Sequence, residues 1–198
     1  MVVSPVFASG FGLVLFDSTY FVWIVSELFG STLIPRLRQR GARRVKRDRG
    51  SVVLIIATIF LSVYIAFYFG YAGIGMLPDW TFYLGIFLTF LGIMVRQVSI
   101  AILGRFFSTT VQIVEDHKVV EKGPYRLVRH PSYTGVLITF IGLGLAVQSL
   151  GALLALLVLF TVAFGYRIWV EERALLSGLG QDYASYMKRT KRLIPFLI

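Results

Sequence analysis

The stretch "GPYRLVRHPSYTG" at residues 123–135 places Arg126, Arg129, His130 and two tyrosines at the entry to a long apolar run. Gly123–Pro124 reads as a turn, and Pro131 holds His130 extended. Pro131 suits the first turn of a helix, where its missing N–H has no helical partner to lose. Tyr133 then falls in that first turn, beside free backbone N–H groups. Those groups and the positive end of the helix dipole favour an anion such as a carboxylate. An interfacial cap is the competing reading, because arginines and tyrosines are ordinary at the headgroup level. The residues by themselves leave both open.

A second stretch, "YRIWVEERALL" at 166–176, sets Arg167 and Glu171 four residues apart and so on one helix face. Glu172 lies about 140° round from Arg167. At an exposed helix end such a pair is a minor ion pair. At the inner end of a membrane span, the arginine could clamp an anion while the glutamate accepts hydrogen bonds from hydroxyl or ammonium groups. In a third stretch, "QDYASYMKRTKRLIP" at 181–195, Gly178 and Gly180 are expected to break the preceding helix. Tyr183 and Tyr186 then fall on neighbouring faces, ahead of four basic residues. This segment reads as a surface-lying amphipathic tail anchored by "LIPFLI", or as a lid.

The elements that must position these residues follow from composition. Of 198 residues, 57% are hydrophobic and 15% charged, against roughly 25% charged in soluble domains. That implies an integral membrane protein, and the length suggests one domain. Cysteine is absent, which excludes disulfides, thiolate metal sites and cysteine nucleophiles. The two histidines, His117 and His130, lie thirteen apart and argue against a metal site. A helical span needs about 20 apolar residues. The predicted spans are 10–34, 51–77 and 80–102, then 131–148 and 149–170, the last two joined by a tight turn near Gln148–Gly151. The expected fold is all-α, a single polytopic membrane domain over residues 1–198. Polar site segments follow at 104–130 and 167–198.

A net charge of +10 could suggest nucleic acid, but its distribution does not. Eight basic residues fall between Arg36 and Arg49 with no aromatic among them, whereas single-stranded nucleic acid is bound on interleaved aromatics. Positive charge in alternate gaps between spans follows the positive-inside rule, and the basic run is expected beside anionic headgroups. Five spans then put the N-terminus outside, the C-terminus in the cytoplasm and the site segments on the cytoplasmic face. No cleaved signal peptide is expected, since a positive n-region is lacking. Asp17 and Glu27 are costly in lipid and are expected at an interface or bonded to a neighbouring helix. Arg96 is expected to snorkel to the headgroups. No inverted repeat supports a transporter. "GLGLAV" at 142–147 has Val147 where a dinucleotide fingerprint needs glycine, so it reads as close helix packing, without a Rossmann domain.

The ordered set "GPYRLVRHPSYTG", "EERALL" and "YASYMKRTKRLIP" resembles the isoprenylcysteine carboxyl methyltransferase family in a small form, over Gln112 to Pro195. The arginine-histidine-proline element also marks phospholipid N-methyltransferases and sterol reductases of similar architecture. The resemblance implies S-adenosylmethionine as cofactor, held by His117, Lys118, Val119 and Val120, by Tyr125, and by His130, Pro131, Ser132 and Tyr133. Glu171 would join them from the last span, with Gln112 if a short gap is allowed. Arg167 would face the substrate carboxylate, so Arg167 and Glu171 are the catalytic candidates. The implied substrate is a lipidated, prenylcysteine-like carboxylate entering from the bilayer, and neither metal nor nucleic acid is implied.

Methyl transfer from a sulfonium to a carboxylate is an in-line displacement. An α-carboxyl with a pKa of about 3.5 is already ionised, so no general base is required. What the reaction needs is alignment and exclusion of water. A lipid-amine N-methyltransferase would instead need a base such as Glu171 or Glu172. A sterol-type reductase would need more than about five spans, and a non-enzymatic adaptor or small channel would not bind the cofactor.

Overall fold

An uncharged apolar run in lipid must bond its own backbone, which selects helix. The computed structural model describes residues 5–33, 44–46, 50–114 and 116–195. Among these, α1 (Gly10–Ser26) continues into a π-helical stretch, Glu27–Leu33, and is followed by α2 (Ser51–Tyr71) and α3 (Trp80–Leu103). The chain then forms α4 (Pro131–Ala146), α5 (Leu150–Leu179) and α6 (Gln181–Arg189). Four described segments, Gly10–Ser31, Ser51–Tyr71, Trp80–Phe106 and Leu150–Leu179, are long and apolar enough to cross a membrane, and Pro131–Ala146 is a shorter apolar helix. Large side chains such as Phe11, Phe21, Phe87 and Val158 point outward, as a lipid-facing surface requires. The chain is an all-α, multi-span membrane protein. Most of the basic run, residues 34–43 and 47–49, lies outside the described residues.

Small residues set the tightest crossing. A Cβ placed on Gly92 would lie 2.6 Å from the Gly135 carbonyl oxygen, and one on Gly142 would lie 2.6 Å from the Thr89 amide. The α3 and α4 backbones therefore touch, as in small-residue membrane packing. This crossing brings Arg96 on α3 beside the first turn of α4. At the far end, buried Gln148 ties the α4–α5 turn to the bundle. Its side chain accepts from the Val6 amide at 2.6 Å and donates to Asp79 at 3.0 Å.

With 30 residues, α5 is about 45 Å long and outruns a hydrocarbon core of about 30 Å. It runs straight through Gly178, where the sequence predicts a break, and stops at Gly180 with φ at 55°. Gly178 serves close approach instead: a Cβ there would sit 2.9 Å from Ile113 Cγ1. Ile113 belongs to a feature absent from the all-α expectation, a two-stranded antiparallel ribbon of β1 (Arg44–Lys46) and β2 (Gln112–Val114). The ribbon carries part of the basic run to the segment holding Gln112. Beyond α6 the tail returns to the α4 entry, where Lys191 and Arg192 carbonyls accept from Arg129 and His130 amides at 2.7 and 3.0 Å.

Candidate active site

Arg167 lies seventeen positions after Leu150, about 26 Å along α5, a length close to the roughly 30 Å of a hydrocarbon core. Its side chain is 2% exposed. Arg167 Nε donates to the Tyr133 hydroxyl at 3.1 Å, Nη1 to Ser51 Oγ at 2.7 Å and Nη2 to the Thr109 carbonyl at 2.7 Å. The Tyr133 hydroxyl in turn donates to Glu171 Oε2 at 2.5 Å, while Arg167 Nε and Glu171 stand 3.9 Å apart. Pro131 opens α4 one turn from this cluster, and Tyr133 is fixed by a ring stack on His130 at 5.5 Å and an edge contact with Phe164.

A cavity of mixed lining, polar where Gln112, His117, Ser132 and Glu171 face it, opens on Arg167 from the end of the bundle opposite Gln148. Lining it are Gln112, His117, Lys118, Val119 and Val120, together with Tyr125, His130, Ser132 and Tyr133. Pro131 is buried at the start of α4 and does not line the cavity; it shapes the entry of the helix rather than offering a contact. The first-turn amides are less available than the sequence predicts. Tyr133 and Thr134 N–H groups both donate to the His130 carbonyl, at 2.9 and 3.1 Å, because the turn closes on itself.

Phe106, Phe107, Tyr183 and Tyr186 also line this cavity. Sequence reasoning left the two phenylalanines unmarked, because apolar residues near a span end carry no signal of which way they face. His117 stacks on Phe106 at 4.8 Å, and its Nδ1 is buried without a partner. Burial holds this imidazole below its ordinary pKa, with Glu171 pulling the other way and Arg105 adding to the depression. Burial also pushes the Tyr125 and Tyr183 hydroxyls up, and Tyr186 to about 12, so these tyrosines stay neutral.

Glu172 faces away from Glu171 and does different work. It accepts from Arg129 Nε at 2.9 Å, meets Arg192 Nη2 at 3.1 Å and stands 3.4 Å from His130 Nε2. Arg129 Nη1 also donates to the Met187 and Thr190 carbonyls. This cluster, buried except for Arg192, pins the α6 strap, with Tyr183 and Tyr186 on it, over the cavity.

A second, largely apolar cavity opens between the membrane helices. Trp23, Ile55, Ile59, Phe60, Val136 and Phe164 line its length, and Glu27, Ser31, Arg96 and Thr109 line its polar end. Phe107, Ser108, Tyr133 and Arg167 belong to both cavities. Arg96 does not snorkel: it chelates Glu27 through Nε and Nη2 and reaches Ser132 Oγ at 3.0 Å. Glu27 thus bonds a neighbouring helix, while Asp17 is exposed on α1. Ser51 went unmarked in the sequence, because nothing local announces that the start of α2 meets α5.

Residues 84–177 match the model of the Isoprenylcysteine carboxyl methyltransferase (ICMT) family. That segment is a little less than half of the chain. An Arabidopsis thaliana relative, protein-S-isoprenylcysteine O-methyltransferase B, is 32% identical over 120 residues, 60% of this chain and 61% of its own. The chain thus spans about three fifths of that relative's length. A Cupriavidus metallidurans relative, cobalt-zinc-cadmium resistance protein CzcN, is 33% identical over 101 residues, 50% of this chain and 46% of its own. The solved structure of a eukaryotic intramembrane Ras methyltransferase ICMT superposes with a TM-score of 0.65, covering 98% of this chain and 69% of that one at 22% identity. The ICMT likeness in fold therefore reaches α1 and α2, which lie outside the matched segment.

Proposed function

We propose that the chain is an S-adenosylmethionine-dependent methyltransferase that esterifies the C-terminal carboxylate of an isoprenylated cysteine. The observation that carries this reading is the meeting of two unlike cavities, one with polar and aromatic groups in its lining and one largely apolar, at Arg167 and Tyr133. A methyl donor that is charged and water-soluble suits the first, and a lipid acid from the bilayer suits the second.

The residues of the first cavity fit the cofactor. His117 offers a buried ring nitrogen with no partner, Glu171 a carboxylate for hydroxyl or cationic groups, and Phe106, Tyr183 and Tyr186 aromatic faces. His117 to Val120, Tyr125, Ser132, Tyr133 and Glu171 would hold it, with Gln112 at the edge. Bound there, S-adenosylmethionine supplies an electrophilic methyl group on a sulfonium centre. Arg167 orients the substrate carboxylate, which is ionised at neutral pH and needs no base. Because its donors are shared with Tyr133, Ser51 and the Thr109 carbonyl, Arg167 holds the carboxylate without quenching its nucleophilicity. The apolar walls and the α6 strap keep water from the junction, where alignment and a dry site lower the barrier.

On this reading the described helices work as one membrane domain, with the N-terminus outside and the site on the cytoplasmic face, where the positive-inside rule puts the basic clusters. Lipid-amine methylation requires a base. Glu172 is committed to Arg129 and Arg192, which leaves that alternative only Glu171. The test is transfer of labelled methyl from S-adenosylmethionine to N-acetyl-S-farnesylcysteine. A base-labile ester is expected; an alkali-stable product on a lipid amine, with no ester, would overturn the assignment.

A further inference from the structure

Many hydroxyls on the membrane helices bond back along their own helix, and Ser51 and Ser132 meet arginines of neighbouring helices. Ser26 donates to the Trp23 carbonyl, Ser62 to Ile59, Ser99 to Val95 and Thr139 to Gly135, at 2.7 to 3.0 Å. Such back-bonding disposes of a polar group where no water can reach it. Ser31 is 2% exposed, and its Oγ is buried with no hydrogen-bond partner. It lies in the π-helical stretch Glu27–Leu33, and π-type interruptions of a helix are common where a ligand binds.

Ser31 lines the polar end of the apolar cavity, close in sequence to Glu27 and together with Arg96 and Arg167. Each of those charged groups is engaged. Glu27 is chelated by Arg96, Arg96 also reaches Ser132, and Arg167 is held by Tyr133, Ser51 and Thr109. An unpaired buried hydroxyl costs free energy that a ligand group can recover. This end of the cavity therefore keeps one neutral hydrogen-bonding group in reserve for its occupant.

A prenylated cysteine offers three polar features: the carboxylate, the thioether and the α-nitrogen. The carboxylate goes to Arg167 on the methyl-transfer reading, on which this inference rests. A thioether is a weak acceptor. The α-nitrogen is left, and its protonation state matters. A free ammonium would sit near two arginines, with the Glu27 carboxylate already engaged. An acylated nitrogen is neutral and matches a hydroxyl. We propose that Ser31 hydrogen-bonds the amide on the amino side of the prenylated cysteine, and so selects peptide-linked prenylcysteine over simpler prenyl acids.

Two acids separate the possibilities: N-acetyl-S-farnesylcysteine, which has the amide, and 3-(farnesylthio)propionate, which lacks it. Ser31→Ala is expected to lower kcat/KM for the amide-bearing acid roughly three- to tenfold, mainly through KM. For the propionate the change should stay within about twofold, the hydroxyl there having no group to bind. Ser31→Thr, which restores a hydroxyl, should recover part of the lost discrimination. The thermal midpoint of Ser31→Ala should equal or exceed that of the native chain, because the hydroxyl removed has no partner to lose. Equal losses on both acids, or none on either, would overturn the Ser31 assignment alone. No ester from either acid with the native chain would overturn the methyl-transfer reading, and this assignment with it.

Discussion

Arg167 shares its guanidinium among a phenol, a serine hydroxyl and a backbone carbonyl, so its loss should be felt in turnover rather than in cofactor binding. Arg167→Ala is expected to reduce methyl transfer at least about 100-fold, the scale of a lost transition-state donor. S-adenosylmethionine affinity by calorimetry should stay within a few-fold. Arg167→Lys, which keeps the charge but not the fork of donors, gives an intermediate rate from a chain better able to fold. Unchanged turnover in both variants would remove the proposed role. His117 supplies a pH signature. Its folded-state pKa lies below the ordinary value because of burial, so the folded form disfavours the extra proton. The associated stability is complete above about pH 6.5 and is lost as pH falls through the folded value. Thermal midpoints should therefore drop more steeply below that pH in the native chain than in His117→Phe. Parallel curves would contradict the burial argument. Both residues sit in polar stretches that interrupt an apolar chain, which marks the stretches in sequence, whereas His117 itself was singled out by the family resemblance alone. Ser51, Ser31 and Phe106 were not legible, since a serine or phenylalanine beside a span has no local mark of function.

At the scale of elements, the decisive feature is how α5 and the tail beyond it are tied to the α4 entry. Glu172, Arg129 and Arg192 form a cluster in which only Arg192 is well exposed. Removing one member leaves uncompensated charge, a loss of about 3–5 kcal/mol for a buried pair. Glu172→Ala should lower the thermal midpoint by several degrees and speed proteolytic clipping between residues 181 and 195, as the strap loses its anchor. Clipping at the native rate would show that the backbone bonds of Lys191 and Arg192 suffice to hold it. The sequence reading of the strap stopped at a choice between tail and lid, because an amphipathic helix looks the same whether it lies on lipid or on protein. It also mistook Gly178 for a helix end: a glycine that permits close approach to Ile113 and one that stops a helix are the same letter. Gly142, by contrast, was legible as a packing glycine, since an apolar span has little other use for it. The β1–β2 ribbon is three residues per strand, too short to register as a periodic pattern.

Across the whole molecule, chemistry is divided between two halves of the chain. The matched segment, 84–177, brings Arg167 and most of the lining of the first cavity, which Tyr183 and Tyr186 complete from α6. The first two helices bring the far wall of the apolar cavity, through Trp23, Ile55, Ile59 and Phe60. Hydropathy made the multi-span architecture legible, yet it could not give the rotation of uniformly apolar helices, and that rotation decides which residues meet Arg167. The central claim is that a lipid acid reaches the methyl donor through the cavity between these helices. Photocrosslinking tests it most directly, using an N-acetyl prenylcysteine with a diazirine at the tip of its prenyl chain and mapping adducts by mass spectrometry. Adducts are expected on the Ile55–Phe60 segment and around Val136 and Phe164, suppressed by excess N-acetyl-S-farnesylcysteine. Adducts confined to the outward face of α1, at Phe11 and Val14, and insensitive to that competitor would contradict it.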